Sequence, residues 1–175
     1  MDREGAWQRV DSARVARLAT IGDDGRPDLV PVTFALRGSV GAAERLIIAI
    51  DHKPKSTRRL TRLDNIRARP DVSLLIDHYD DDWSRLWWVR IDGRARVIDG
   101  PPVGTDLDAL RARYEPYRRT PPAGPVIDIE LRRWQWWSAA DAPTPDAPTT
   151  APTARGPNDA TSSTPSEPTT APEAP

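Results

Sequence analysis

No leucine, isoleucine, valine or aromatic residue occurs after Ala139, so any hydrophobic core of this 175-residue chain is built from what comes before. The remaining stretch holds nine of the 19 prolines, mixed with Thr, Ala, Ser and Asp. That composition predicts a disordered, partly extended tail over residues 141–175. Residues 1–140 are ordinary in length for one domain. Five acidic residues against Arg155 give the tail a charge of −4, which leaves +3 of the total −1 on the first 140 residues. So mild a positive balance argues against a dedicated nucleic-acid binder. The chain has no cysteine, which excludes disulfides, thiolate metal sites and cysteine nucleophiles. No basic start followed by an apolar run and no membrane-length apolar stretch occurs, so a cytoplasmic protein without a membrane partner is expected.

Within the first 140 residues, period-two alternation dominates. Residues 2–12 predict a short helix packed through Trp7 and Val10. Residues 15–21 predict a strand, Gly22-Asp23-Asp24-Gly25 a hairpin turn, and residues 27–36 the returning strand. Pro31 cannot donate to a ladder, so that strand is expected at an edge or bulged, with neighbouring backbone groups free for a ligand. Residues 46–50, 72–79, 86–98 and 126–131 predict four more strands, the third bulged at Gly93 and the last ending at Trp134-Gln135-Trp136-Trp137. Residues 106–119 read as a helix with Leu107, Leu110 and Tyr114 inward. Six strands with few helices predict a small closed barrel, mainly β with short helices.

Between the third and fourth strands lies Asp51-His52-Lys53-Pro54-Lys55-Ser56-Thr57-Arg58-Arg59-Leu60. Ser56 or Thr57 can cap a helix whose buried stripe is Leu60, Leu63 and Ile66. Lys53, Lys55, Arg58, Arg59, Arg62, Arg67 and Arg69 face only Asp64 as a counter-charge inside the segment. Two readings stand: a solvated basic helix face, or a phosphate site formed with the free N–H groups of a helix start. Asp77-His78-Tyr79-Asp80 clusters imidazole and carboxylate, but no second His lies at helical ligand spacing and no metal site is assigned. Trp87 and Trp88, adjacent on one strand, point to opposite faces, so one of them can line a site. There is no nucleophile elbow, nucleotide-hydrolase phosphate loop or Gly-x-Gly-x-x-Gly fingerprint.

Several stretches taken together resemble the pyridoxamine-phosphate-oxidase-like split β-barrel family of flavin and deazaflavin oxidoreductases. They are Ala16-Arg17-Leu18-Ala19-Thr20 followed by Asp24-Gly25-Arg26-Pro27, then Val30-Pro31-Val32-Thr33-Phe34, then residues 65–75, and Val89-Arg90-Ile91-Asp92-Gly93-Arg94-Ala95. Residues 51–55 and 80–88 look like the actinobacterial branch that uses the deazaflavin coenzyme F420. The resemblance implies an FMN-binding type of split barrel, a homodimer with cofactor sites at the subunit interface, and a cofactor phosphate against the basic segment. Lys55 best matches the family's phosphate-binding lysine, with Lys53, Ser56 and Thr57 beside it. The ring-binding strand maps onto Val30, Pro31, Val32, Thr33 and Phe34, with Trp88 as a lining aromatic. Val30 stands where the oxidase proper has an arginine, which favours F420 over FMN. The implied activity is hydride transfer to a small organic acceptor. An FMN-dependent oxidase and a non-catalytic flavin or deazaflavin carrier are the alternatives.

Overall fold

In the computed structural model, which describes residues 1–50 and 60–141, the first hairpin forms around the expected glycine–aspartate turn. Gly22 donates to the Arg26 carbonyl (2.8 Å), and Gly25, at φ +81°, donates to the Gly22 carbonyl (2.9 Å). The Asp24 carboxylate accepts the Arg26 N–H at 3.0 Å, so the turn is closed by its own side chain. It joins β1 (Ala16–Ile21) to β2 (Pro27–Val32), paired from Ala16 opposite Val32 to Ile21 opposite Pro27.

The remaining strands are β3 (Ala35–Ser39), β4 (Ala42–Ala49), β5 (Asp71–His78), β6 (Trp87–Ile98) and β7 (Val126–Ser138). All pairings are antiparallel, in the order β2-β1-β5-β6-β7-β4-β3. The strands at the two ends of this order, β2 and β3, are joined by residues 33 and 34 alone. Three peptide steps reach at most about 11 Å, so the sheet must curl until its ends meet, which makes it a barrel.

Among the described residues there are seven strands rather than the expected six, because residues 27–36 take part in two strands. At the junction the Phe34 N–H donates to the Tyr114 hydroxyl oxygen (3.0 Å), which itself lies within donating distance, 2.9 Å, of the carbonyls of Phe34 and Arg14. A side chain thus satisfies backbone groups that a neighbouring strand would otherwise take, and the chain changes partner there.

The barrel interior is filled by Leu18, Leu74, Ile76, Ile91, Ile127 and Ile129 with their neighbours. The helix α1 (Arg3–Ser12), capped by Asp2 accepting the Gly5 N–H at 2.8 Å, adds Ala6 and Val10. Trp7 is only half-buried and stacks on Trp134, 5.8 Å between ring centroids. The helix α2 (Thr61–Ala68) adds Leu63 and Ile66 and joins Asn65 to Thr20 by a buried hydrogen bond of 3.0 Å. It begins after an extended Leu60, so the expected capping by Ser56 or Thr57 is corrected: the N-cap is Leu60, without a side-chain bond.

The helix expected over residues 106–119 is two helices, α3 (Gly104–Arg113) and α4 (Glu115–Arg119). Pro116 has no N–H for the preceding turn, and Tyr114 is extended at the break. These helices cover a second cluster around Ile47, Leu110, Tyr114 and Tyr117. The bulge at Gly93 is present, with Arg132 as the extra residue on β7: Asp92 faces Arg133, and Gly93 faces Leu131. A Cβ at Gly93 would stand 2.6 Å from the Glu130 carbonyl oxygen, which is why the close approach takes glycine. β7 runs on through all three of its tryptophans to Ser138. Among the described residues, no helix is long and apolar enough to cross a membrane.

Candidate functional site

Among the described residues β2 has only β1 as a ladder partner, so its other edge carries unpaired backbone groups there, as Pro31 foretold. Along it Val30 is half-buried, Pro31 exposed, Val32 and Phe34 buried, and Thr33 half-buried. Val32 and Phe34 therefore offer a ligand only their main chain, and the Phe34 N–H is already committed to Tyr114. The Thr33 hydroxyl lies 3.1 Å from the Tyr117 hydroxyl, and the two tyrosine rings meet edge-on at 5.6 Å. Tyr114 and Tyr117 thus fix the end of the strand assigned to the cofactor ring. Their role as anchors was legible only as a demand: a buried tyrosine hydroxyl needs a partner. Tyr114→Phe should cost about 1–3 kcal/mol of stability by leaving the Phe34 N–H buried without an acceptor. Chemical denaturation would read that loss, and faster amide exchange at Phe34 would localise it.

Cross-strand partners share a face, so the register defines the outer surface of the barrel. Leu29, Ala19, Ser73 and Asp92 stand in one row across β2, β1, β5 and β6. Pro31, Arg17, Leu75, Arg90 and Gln135 form the next, and Asp77, Trp88 and Trp137 lie beyond them. Leu29 is 63% exposed, Leu75 39%, Trp88 37% and Trp137 41%. Charges among them are paired, Arg17 with Asp77 and Arg90 with Asp92 at 3.5 Å. Small side chains at Ala19 and Ser73, with Gly93, line a hollow of about 340 Å³ beside Arg132. Trp88 shares this face with β2 but lies three strand spacings away, about 14 Å, so one chain does not bring the two together.

Lys53, Lys55, Ser56 and Thr57 lie outside the described residues. The flanking arginines do not form an unpaired cationic face. Arg67 binds Asp99 at 2.9 Å and approaches Asp64 at 3.7 Å, while Arg69 donates to the Gly22 carbonyl and approaches Asp23 at 3.8 Å. Among the described residues, no three His, Asp or Glu side chains gather closely enough to hold a metal ion. His78 instead stacks on Trp87 and approaches Asp80 at 3.6 Å. The Asp82 carboxyl is held below its ordinary value by hydrogen bonds from the Ser84 hydroxyl and N–H, closing the turn before β6.

An antiparallel sheet closed by a two-residue strand switch, with an edge left open among the described residues, defines a split β-barrel. The sequence profile described as pyridoxamine 5'-phosphate oxidase matches residues 5–138, and the chain belongs to that family. No curated protein matches the sequence. Among solved structures, the conserved hypothetical protein Rv2991 from Mycobacterium tuberculosis is 21% identical, with a TM-score of 0.60 over 86% of this chain and 94% of its own. A protein described as an F420 reductase is 20% identical, with a TM-score of 0.54 over 77% of this chain and 98% of its own. The haem storage protein HutZ from Vibrio cholerae is 12% identical, with a TM-score of 0.54 over 78% of this chain and 93% of its own. At these identities the likeness is one of fold.

Proposed function

We propose that this protein is an oxidoreductase that uses reduced coenzyme F420 to transfer a hydride to a small organic acceptor. The observation that carries the reading is the edge of β2, unpaired among the described residues, beside an outer face that exposes Leu29, Leu75, Trp88 and Trp137, in a chain whose family includes oxidoreductases. A flat ring with amide edges needs what such an edge offers, alternating main-chain donors and acceptors that no neighbouring strand has taken. Val30, Pro31, Val32 and Thr33 would hold the ring, with no donor at Pro31. Lys55, aided by Lys53, Ser56 and Thr57, would hold the phosphate. Valine at position 30, where the oxidase proper has arginine, favours the deazaflavin over FMN, and the F420 reductase among the similar structures supports the same choice.

Bound reduced deazaflavin supplies the hydride. The protein's part is to anchor the phosphate, orient the ring against β2 and exclude water. The exposed Leu29, Leu75, Trp88 and Trp137 are best covered by a second copy of the chain, which would also bring a Trp88 toward the partner's β2 edge. The homodimer, the small-molecule acceptor and the cytoplasmic location belong to this proposal. A non-catalytic carrier of flavin or deazaflavin is the competing reading, favoured by the storage role named for HutZ.

The test is to titrate the protein with F420 and with FMN, follow the bound chromophore, and then offer the pre-reduced complex a panel of conjugated acceptors. Saturable F420 binding followed by acceptor-dependent oxidation of the cofactor supports the proposal. Tight FMN binding with none for F420 would replace the cofactor, and F420 binding without turnover on any acceptor would leave a carrier. Light scattering of the complex as a monomer would remove the shared interface site.

A further inference from the structure

The stretch around His78 and Trp87 has no part in the proposed cofactor face. Those two residues stand opposite each other where β5 ends and β6 begins, their rings stacked with centroids 6.2 Å apart and planes at 22°. Trp87 packs toward the core while Trp88 points outward, so this place lies across the sheet from the outer face. With Arg9 of α1, Ser84, Arg85 and Ser138 it lines an open pocket of about 340 Å³. That is the size of a small metabolite site and small for a flavin with its side chain.

Arg9 is the unusual group. It is half-buried, and its guanidinium lies 4.8 Å from the centre of the Trp87 ring. Among the described residues its side chain makes no hydrogen bond and no close ion pair. Its charge acts at longer range on Asp141, a carboxylate already bound to the Met1 amino group. Arg85 meets Asp80 at 3.3 Å through one nitrogen, which leaves most of its donors available. Asp80 is shared with His78, and Asp82 is occupied by Ser84. The residues that line the pocket nonetheless include two arginines and no carboxylate, the acidic groups Asp80, Asp82 and Asp141 lying outside the lining. An arginine held over an indole by its charge keeps its N–H groups available and loses less freedom when they meet an anion.

We propose that this pocket binds the oxyanion of a small metabolite, a carboxylate or a phosphate monoester, between Arg9 and Arg85. The anion would take the fork of Arg9 in a two-bond contact and a second charge-assisted bond from Arg85. Trp87 and Ala140 would contact the apolar part of the same molecule. The site is independent of which cofactor occupies the outer face.

Calorimetric titration of the full-length protein with inorganic phosphate and, separately, with benzoate tests this. One saturable site is expected for at least one probe, weakened about tenfold or more by Arg9→Gln and by Arg85→Gln, the weight of one charge-assisted hydrogen bond. Arg9→Lys should keep part of the affinity, because it retains the charge without the fork, and thermal melting shows whether each variant is folded. Phosphate alone binding assigns a phosphate monoester, and benzoate alone assigns a carboxylate on an apolar body. The proposal is overturned if neither probe saturates at tens of millimolar. It is equally overturned if Arg9→Gln leaves the affinity unmoved, as when phosphate binding is lost on Lys55→Ala instead.

Discussion

Replacing Phe34 with alanine should lower the stability of this protein by about 3–5 kcal/mol, the usual cost of emptying the space of a buried phenylalanine. Phe34 is fully buried, and it sits at the two residues through which the chain passes from β2 to β3. Its ring lies in the barrel core, with the Arg113 guanidinium 5.0 Å from the ring centre. Arg113 in turn donates to the Asp11 carboxylate at 3.0 Å, tying this junction to the end of α1. The cavity would thus open at the seam where the barrel closes, a place with little freedom to collapse, because Tyr114 holds the Phe34 main chain on one side. A whole domain is stable by about 5–15 kcal/mol, so this one change removes a large share. Urea denaturation of wild type, Phe34→Ala and Phe34→Leu would read it, with the leucine variant recovering much of the loss. A cost below about 1 kcal/mol for the alanine variant would mean that the seam is not packed as described.

The same junction shows why part of the fold was legible in the sequence and part was not. The β1–β2 turn follows from four consecutive residues, since Asp24 and Gly25 satisfy the bonds and the dihedral themselves. The bulge followed from Gly93, although the extra residue, Arg132, sits on the partner strand and is set by packing across the pair. The division at residues 33–34 left no local mark. Val32-Thr33-Phe34-Ala35-Leu36 suits a strand throughout, and the group that ends it is Tyr114, 80 residues further along. Charge misled in the same way. Arg67 and Arg69 looked unpaired within their own segment, but their counter-groups are on the loops at Asp99, Gly22 and Asp23. The open edge at β2 was foreseen because a single residue, Pro31, carries its cause.

That distinction bears on the basic segment, where Lys55→Ala separates the two readings most sharply. Arg67 and Arg69 are matched by carboxylates or carbonyls, so the case for a phosphate site rests on the lysines and hydroxyls before Leu60. On a solvated surface, removing the Lys55 charge should change stability by less than about 0.5 kcal/mol and affect no ligand. If Lys55 holds the cofactor phosphate, the change removes a charge-assisted hydrogen bond worth about 1.5–3 kcal/mol, or about tenfold to a hundredfold in affinity. Lys53→Ala should have a smaller effect if one lysine makes the direct contact. Affinity should also fall as salt rises, because an ion pair open to solvent is screened over about 8–10 Å at ordinary ionic strength. Fluorescence titration of F420 into wild type, each single variant and the double variant gives all four constants. A Lys55→Ala loss carried entirely by faster dissociation would fit a broken direct contact, since tuning of one interface acts mainly on the off-rate. Equal affinity in all four proteins would move the phosphate away from this segment and leave the open edge of β2 as the only support for the cofactor's position.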